Sequence, residues 1–166
     1  MKLLGILCIG AVPLLFCFRQ GEELRKKQKA RDAFLLFLEY TLFQIENFDR
    51  DQREIFFGFE NADLEKSLFL PSLRREVEKN PCGAMERVLP SHFTVFSFSP
   101  EAEEILRVFS AHFGMQAKMT QIIELKRAIQ ILRESGEKER KETEKKIKIT
   151  RMIGVTACLG ILILMI

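Results

Sequence analysis

Few residues in this chain could do chemistry. His92 and His112 are its only histidines, and His112 sits between Ala111 and Phe113 on a helical stretch. A general base or a metal ligand needs a carboxylate or further ligands at a fitting spacing, and neither histidine has them. Both read as partly exposed packing residues. Glu22-Glu23 and Glu103-Glu104 are adjacent pairs, and neighbours on a helix point apart, so neither pair shares a proton. They read as solvated faces. Cys82 lies between Pro81 and Gly83, with no histidine nearby in sequence to activate it. One domain cysteine and two scattered histidines build no zinc site, and no glycine-rich phosphate loop exists. The sequence therefore predicts a protein that is not an enzyme and that needs no cofactor or metal.

What must position anything on this chain is its uneven distribution of apolar and basic residues. Residues 3–18 read LLGILCIGAVPLLFCF without a charge, and 152–166 read MIGVTACLGILILMI. A spanning helix wants about twenty apolar residues. Both stretches reach that length only if Lys2, Arg19, Lys148 and Arg151 extend their charged ends outward. The first stretch has the look of a signal peptide, but Phe16-Cys17-Phe18 is too bulky for a cleavage site, so an uncleaved anchor is expected. The second has hardly any polar position, unlike a buried core helix. Three of the four cysteines (Cys8, Cys17 and Cys158) fall within these ends, which leaves Cys82 no disulfide partner in the middle and fits a reducing compartment.

The basic residues sit just inside the two apolar ends. Arg25, Lys26, Lys27, Lys29 and Arg31 follow the first, and Lys145, Lys146, Lys148 and Arg151 lead into the second. The positive-inside rule then places the middle of the chain in the cytosol. The same basic turn could also bind acidic headgroups. The net charge of +3 is too small to suggest nucleic acid. Three segments are expected: a transmembrane anchor over 1–20, a cytosolic helical domain with membrane-proximal stalks over 21–146, and a transmembrane helix over 147–166.

The middle reads as an all-α bundle of about five or six helices. A long amphipathic helix over 22–48 carries Ala30, Phe34, Phe37, Thr41, Ile45 and Phe48 at spacings of three and four, widened by Leu38 and Leu42. Asp51 caps a short helix holding Ile55, Phe56 and Phe59, and of the pair Phe56-Phe57 only one can face inward. Leu64, Leu68, Phe69, Leu73 and Val77 follow, with Pro71 bending that helix or starting a new one. Met85, Val88 and Leu89 form another short pattern, which Pro90 should end. His92–Ser99 alternates like a strand but has no partner strand, so it reads as an extended connection. Ser99-Pro100-Glu101 opens a helix with Ile105, Leu106, Phe109 and Phe113 on its apolar side, and Gly114 supplies the left-handed turn after it. A last helix repeats Ile122, Leu125, Ile129 and Leu132, then runs into a charged stretch with Gly136 as its weak point.

This pattern resembles the stage III sporulation protein AB family. The opening Lys2-Leu3-Leu4-Gly5 is similar to that family's start, and Leu38-Glu39 falls where the family has a Leu-Glu pair. Glu104-Ile105-Leu106, Phe109, Gly114 and Gln121 follow a family pattern, as do Lys148, Arg151 and Gly154 near the end. The chain departs from it at Met85, Ser110, Phe113 and Ala117, where the family carries Trp, Gly, Leu and Asp. The resemblance implies a domain similar to the cytosolic helical domain of the type II secretion and type IV pilus platform protein. It implies a docking subunit of a secretion-like complex, on the mother-cell side of the outer forespore membrane. The implied partners are a cytosolic secretion-type ATPase and other membrane subunits. Self-association into a homo-oligomer is a further expectation. Family-like residues concentrate between Glu103 and Gln121, which makes Glu103, Glu104 and Gln121 the expected contact residues and Gly114 their structural turn. A small membrane adaptor or sensor, with a cytosolic helical interaction domain and no secretion role, would share this topology.

Overall fold

The computed structural model describes the backbone of residues 2–165, with side chains for 19–150, 152–156, 160 and 163. The side chains of 3–18, including Cys8 and Cys17, and those of Arg151 and Cys158, lie outside the described residues. The chain is all-helical, with seven helices among the described residues: α1 (Lys2–Phe48), α2 (Gln52–Gly58), α3 (Ala62–Lys66), α4 (Phe69–Lys79), α5 (Ala84–Phe96), α6 (Pro100–His112) and α7 (Lys118–Met165). Among the described residues no helix is long and apolar enough to cross a membrane. The chain divides into two compact units, Met1–Lys26 with Lys138–Ile166, and Lys27–Glu137.

The core of the second unit is built on phenylalanine. Phe34 on α1 is fully buried and its ring centroid lies 5.0 Å from Phe96, 5.3 Å from Phe69 and 5.5 Å from Phe98. Phe37, one turn on, reaches Phe56 of α2 at 5.7 Å and Phe69 of α4 at 5.8 Å. Tilted and edge-on arrangements of this kind suit the ring quadrupoles. On α7, Ile122, Leu125, Ala128, Ile129 and Leu132 are buried at the expected helical spacing. Ion pairs bind α7 to α1 in antiparallel register: Asp49–Lys118 at 2.9 Å, Glu46–Lys126 at 2.6 Å and Glu39–Arg133 at 2.6 Å.

Local capping chemistry sets most boundaries. The Asp51 carboxylate accepts from Glu54 N–H at 2.8 Å, and Asn61 accepts from Asp63 N–H and Leu64 N–H. Phe56 is buried and Phe57 faces outward, as their adjacency requires. Pro71 lies in the first turn of α4, where an N–H has no intrahelical partner to lose. The break before it is at Leu68, which adopts φ +63° and is 63% exposed, so Leu68 belongs to the turn and not to the apolar stripe. A left-handed L-residue costs about 1–2 kcal/mol, partly offset by glycine's extra freedom when unfolded. Leu68→Gly is therefore expected to raise stability by about 0.5–1 kcal/mol in chemical denaturation; a loss would mean that the exposed side chain packs.

The structure corrects the sequence at three further places. Pro90 does not end its helix, and His92–Ser99 is not an extended connection: α5 passes through Pro90 to Phe96. The proline forfeits one backbone hydrogen bond, but Met85, Leu89, Phe93 and Phe96 all bury along one helical face. A strand would have turned Phe93 and Val95 the same way, yet Val95 is 37% exposed. Phe48 ends the α1 stripe 56% exposed, because the stripe outruns the elements that cover it. α7 runs unbroken through Gly136, a continuity the sequence left open. His92, read as partly exposed, is buried against Phe69, and its Nδ1 donates to the Val88 carbonyl at 3.1 Å.

Candidate docking face

Three arginines close the turns that hold the face in place. Arg74 donates to the carbonyls of Phe56 (3.1 Å) and Phe59 (2.6 Å) and to Glu65 (2.7 Å), tying the α2–α3 turn to α4. Arg87 donates to Glu76 (2.8 Å) and to the carbonyls of Asn80 and Cys82, closing the α4–α5 turn. The Arg87 guanidinium holds the Glu76 carboxyl below its ordinary range. This pair thus stabilises the fold at neutral pH and loses that contribution as acid protonates Glu76. Arg31 donates to the carbonyls of Phe96 (3.3 Å) and Ser97 (2.5 Å). It is half-buried and caps the C-terminal end of α5, where carbonyls lack helical partners.

Beyond that cap, the Ser99 hydroxyl accepts from Ala102 N–H at 3.3 Å and Pro100 begins α6. Leu106 and Phe109 turn inward, and Phe113 buries just past the helix. Gly114 follows at φ +82°, and a Cβ there would lie 1.2 Å from Gln52 Nε2, which lies across the turn and reaches the Phe113 carbonyl at 3.4 Å. Only glycine combines that dihedral with that close approach. The turn continues with Met115 N–H on the His112 carbonyl at 3.1 Å, and Lys118 opens α7.

The expected contact residues separate in this frame. Glu104 is exposed and Glu103 half-buried, one on each side of α6. Gln121 is spent within its own turn, donating to the Gln116 carbonyl at 2.6 Å. The sequence missed Val108, Met115, Met119 and Ile123, which are half or more exposed along α6, the turn and the start of α7. A signal existed: Met119 and Ile123 are one turn apart and out of phase with the Ile122–Leu125–Ile129 stripe. Glu104 and Val108 are one turn apart on α6, as are Met119 and Ile123 on α7, and exposed apolar side chains of this kind suit protein contact rather than catalysis. Among the described residues no three His, Cys, Asp or Glu side chains are grouped to hold a metal ion.

A family model for stage III sporulation protein AB matches residues 2–166. The chain belongs to the stage III sporulation protein AB family. Membership implies a role in sporulation, carried by an all-helical chain. No curated protein and no solved structure matches it.

Among the remaining flanking residues, Arg25, Lys26, Lys27, Lys29, Lys145, Lys146 and Lys148 are all exposed. Cys82 is exposed and unpaired in the α4–α5 turn.

Proposed function

We propose that this member of the family is a membrane-anchored docking subunit of a secretion-like sporulation complex, presenting its helical unit to a cytosolic secretion-type ATPase. The observation that carries the reading is the exposed apolar residues Val108, Met115, Met119 and Ile123 on α6, the turn after it and the start of α7, with Glu104 one turn before Val108 and Gln52 lying across the turn. The charge-free end at 3–18, the apolar end at 152–166 and the basic residues just inside both support attachment to the membrane, on the mother-cell side of the outer forespore membrane. The other membrane subunits would meet the two ends. The subunit's role is mechanical, a rigid face on helices that continue toward those ends.

The test is recovery of the ATPase from sporulating cells by three forms of the full chain: wild type, Glu103→Lys/Glu104→Lys, and Met119→Glu/Ile123→Glu. Neither glutamate has an ion-pair partner among the described residues, and Glu103 loses only its favourable place near a helix N-terminus. The charge reversal should therefore cost at most about 1 kcal/mol, checked by thermal melting. It is expected to weaken capture and flatten its salt dependence, while the apolar pair should abolish capture. Equal recovery by all three removes this face. No ATPase with any of them favours the adaptor reading.

A further inference from the structure

The net charge of the chain is held very unevenly. The unit Met1–Lys26 with Lys138–Ile166 has eleven lysines and arginines against five acidic residues, a net +6. Lys27–Glu137 has fifteen against eighteen, a net −3. Topology requires only that basic residues flank an apolar segment on one side. An excess of this size, on a chain whose larger unit is net negative, asks for an anionic counterpart of its own.

The geometry of the smaller unit says what kind. Gly21 of α1 faces Ile147 of α7, whose Cγ2 lies 3.9 Å from where a Gly21 Cβ would be. That contact sets Arg19, Arg25 and Lys26 at the level of Lys145, Lys146 and Lys148, and all six are exposed. Lys26 pairs with Glu23 at 3.4 Å, but both side chains are about two-thirds or more exposed, so water and salt weaken the pair. Among the described residues Arg25, Lys145, Lys146 and Lys148 have no carboxylate partner. Immediately beyond them Ile149, Met152 and Ile153 are exposed apolar side chains around a shallow recess, with Thr156 at its end. A group of exposed cations bordering exposed apolar groups matches a lipid surface, where phosphates meet acyl chains. A free phosphate or a nucleic acid would match only the cations.

We infer that Arg19, Arg25, Lys26, Lys145, Lys146 and Lys148 form a collar that binds the anionic headgroups of phospholipids. The collar holds the smaller unit at an anionic surface. The inference rests on the membrane-attachment part of the proposed function, and its test separates the two.

The full chain is reconstituted into vesicles of phosphatidylcholine and phosphatidylglycerol, and its association with spin-labelled forms of each lipid is measured. Phosphatidylglycerol should be favoured by about fivefold or more, the effect of one basic residue near a charged surface, and the preference should fall with salt. Lys145→Gln/Lys146→Gln/Lys148→Gln should bring it close to unity. The control Lys66→Gln/Arg75→Gln/Arg127→Gln removes the same charge from exposed positions of the helical unit and should leave the preference unchanged. A collar variant that keeps the preference, or a control that loses it equally, overturns the collar. Retention through alkaline carbonate without any lipid preference overturns the collar and leaves membrane attachment standing. Release by carbonate with the preference intact overturns the spanning ends and leaves the collar standing.

Discussion

Replacing Gly114 by valine is expected to destabilise the helical unit by about 3 kcal/mol or more, and the loss should divide into two separable parts. The first part is backbone. Gly114 sits at φ +82°, where an L-residue costs about 1–2 kcal/mol and a β-branched one more. The second part is steric. A Cβ would fall 1.2 Å from Gln52 Nε2 and 2.5 Å from its Cδ, so the amide end of Gln52 must swing aside. Its bond to the Phe113 carbonyl goes with it. Gly114→Ala should cost about 2 kcal/mol or more by the same reasoning. In a Gln52→Ala background the steric part has no partner, so Gly114→Ala should then cost only the backbone part. Chemical denaturation of the four proteins closes this cycle, and strict additivity would show that Gln52 does not lock the turn. Because the turn sets Met115 and Met119 relative to Val108, capture of a partner should fall in the same order as stability.

The features legible in the sequence were those set by neighbouring residues. Ser99-Pro100-Glu101 announced α6 because capping needs only a hydroxyl, a fixed φ and a nearby acid, all within one turn. Asp51 announced α2 for the same reason. Gly114 was legible as a turn, but the Gln52 side chain that fills its missing Cβ comes from 62 positions earlier and was not. Pro90 misled because a local rule met a larger tertiary effect: one missing hydrogen bond against the burial of Phe93 and Phe96. The capping role of Arg31 was not legible, because the carbonyls of Phe96 and Ser97 that it reaches are 65 and 66 residues away. At the candidate face, Glu104 is exposed as its place in an adjacent acidic pair suggested, while Glu103 is half-buried. Met119 and Ile123 were legible only through their phase, one turn apart and off the Ile122–Leu125–Ile129 stripe, a signal that their apolar character masks.

The same distinction yields the sharpest test of the core. Phe34 and Phe48 lie on a single periodic stripe of α1, and the sequence gives no ground for ranking them. In the structure Phe34 is fully buried, with rings from α1, α4, α5 and the α5–α6 turn around it. Phe34→Ala removes a large ring from the place where these elements meet, and the cavity cannot close without moving several other phenylalanines. It is expected to cost about 3–5 kcal/mol. Phe48 is 56% exposed, packs edge-on against Phe43 at 5.6 Å and lies under the Arg50 guanidinium at 5.8 Å. Those contacts are largely solvated, so Phe48→Ala should cost about 1 kcal/mol or less. Urea titration of both variants, followed by circular dichroism, gives the two midpoints directly. Similar losses would mean that the stripe is buried along its whole length and that the end of α1 is covered. A small loss for Phe34→Ala would place the core elsewhere, because none of the surrounding rings would then depend on it.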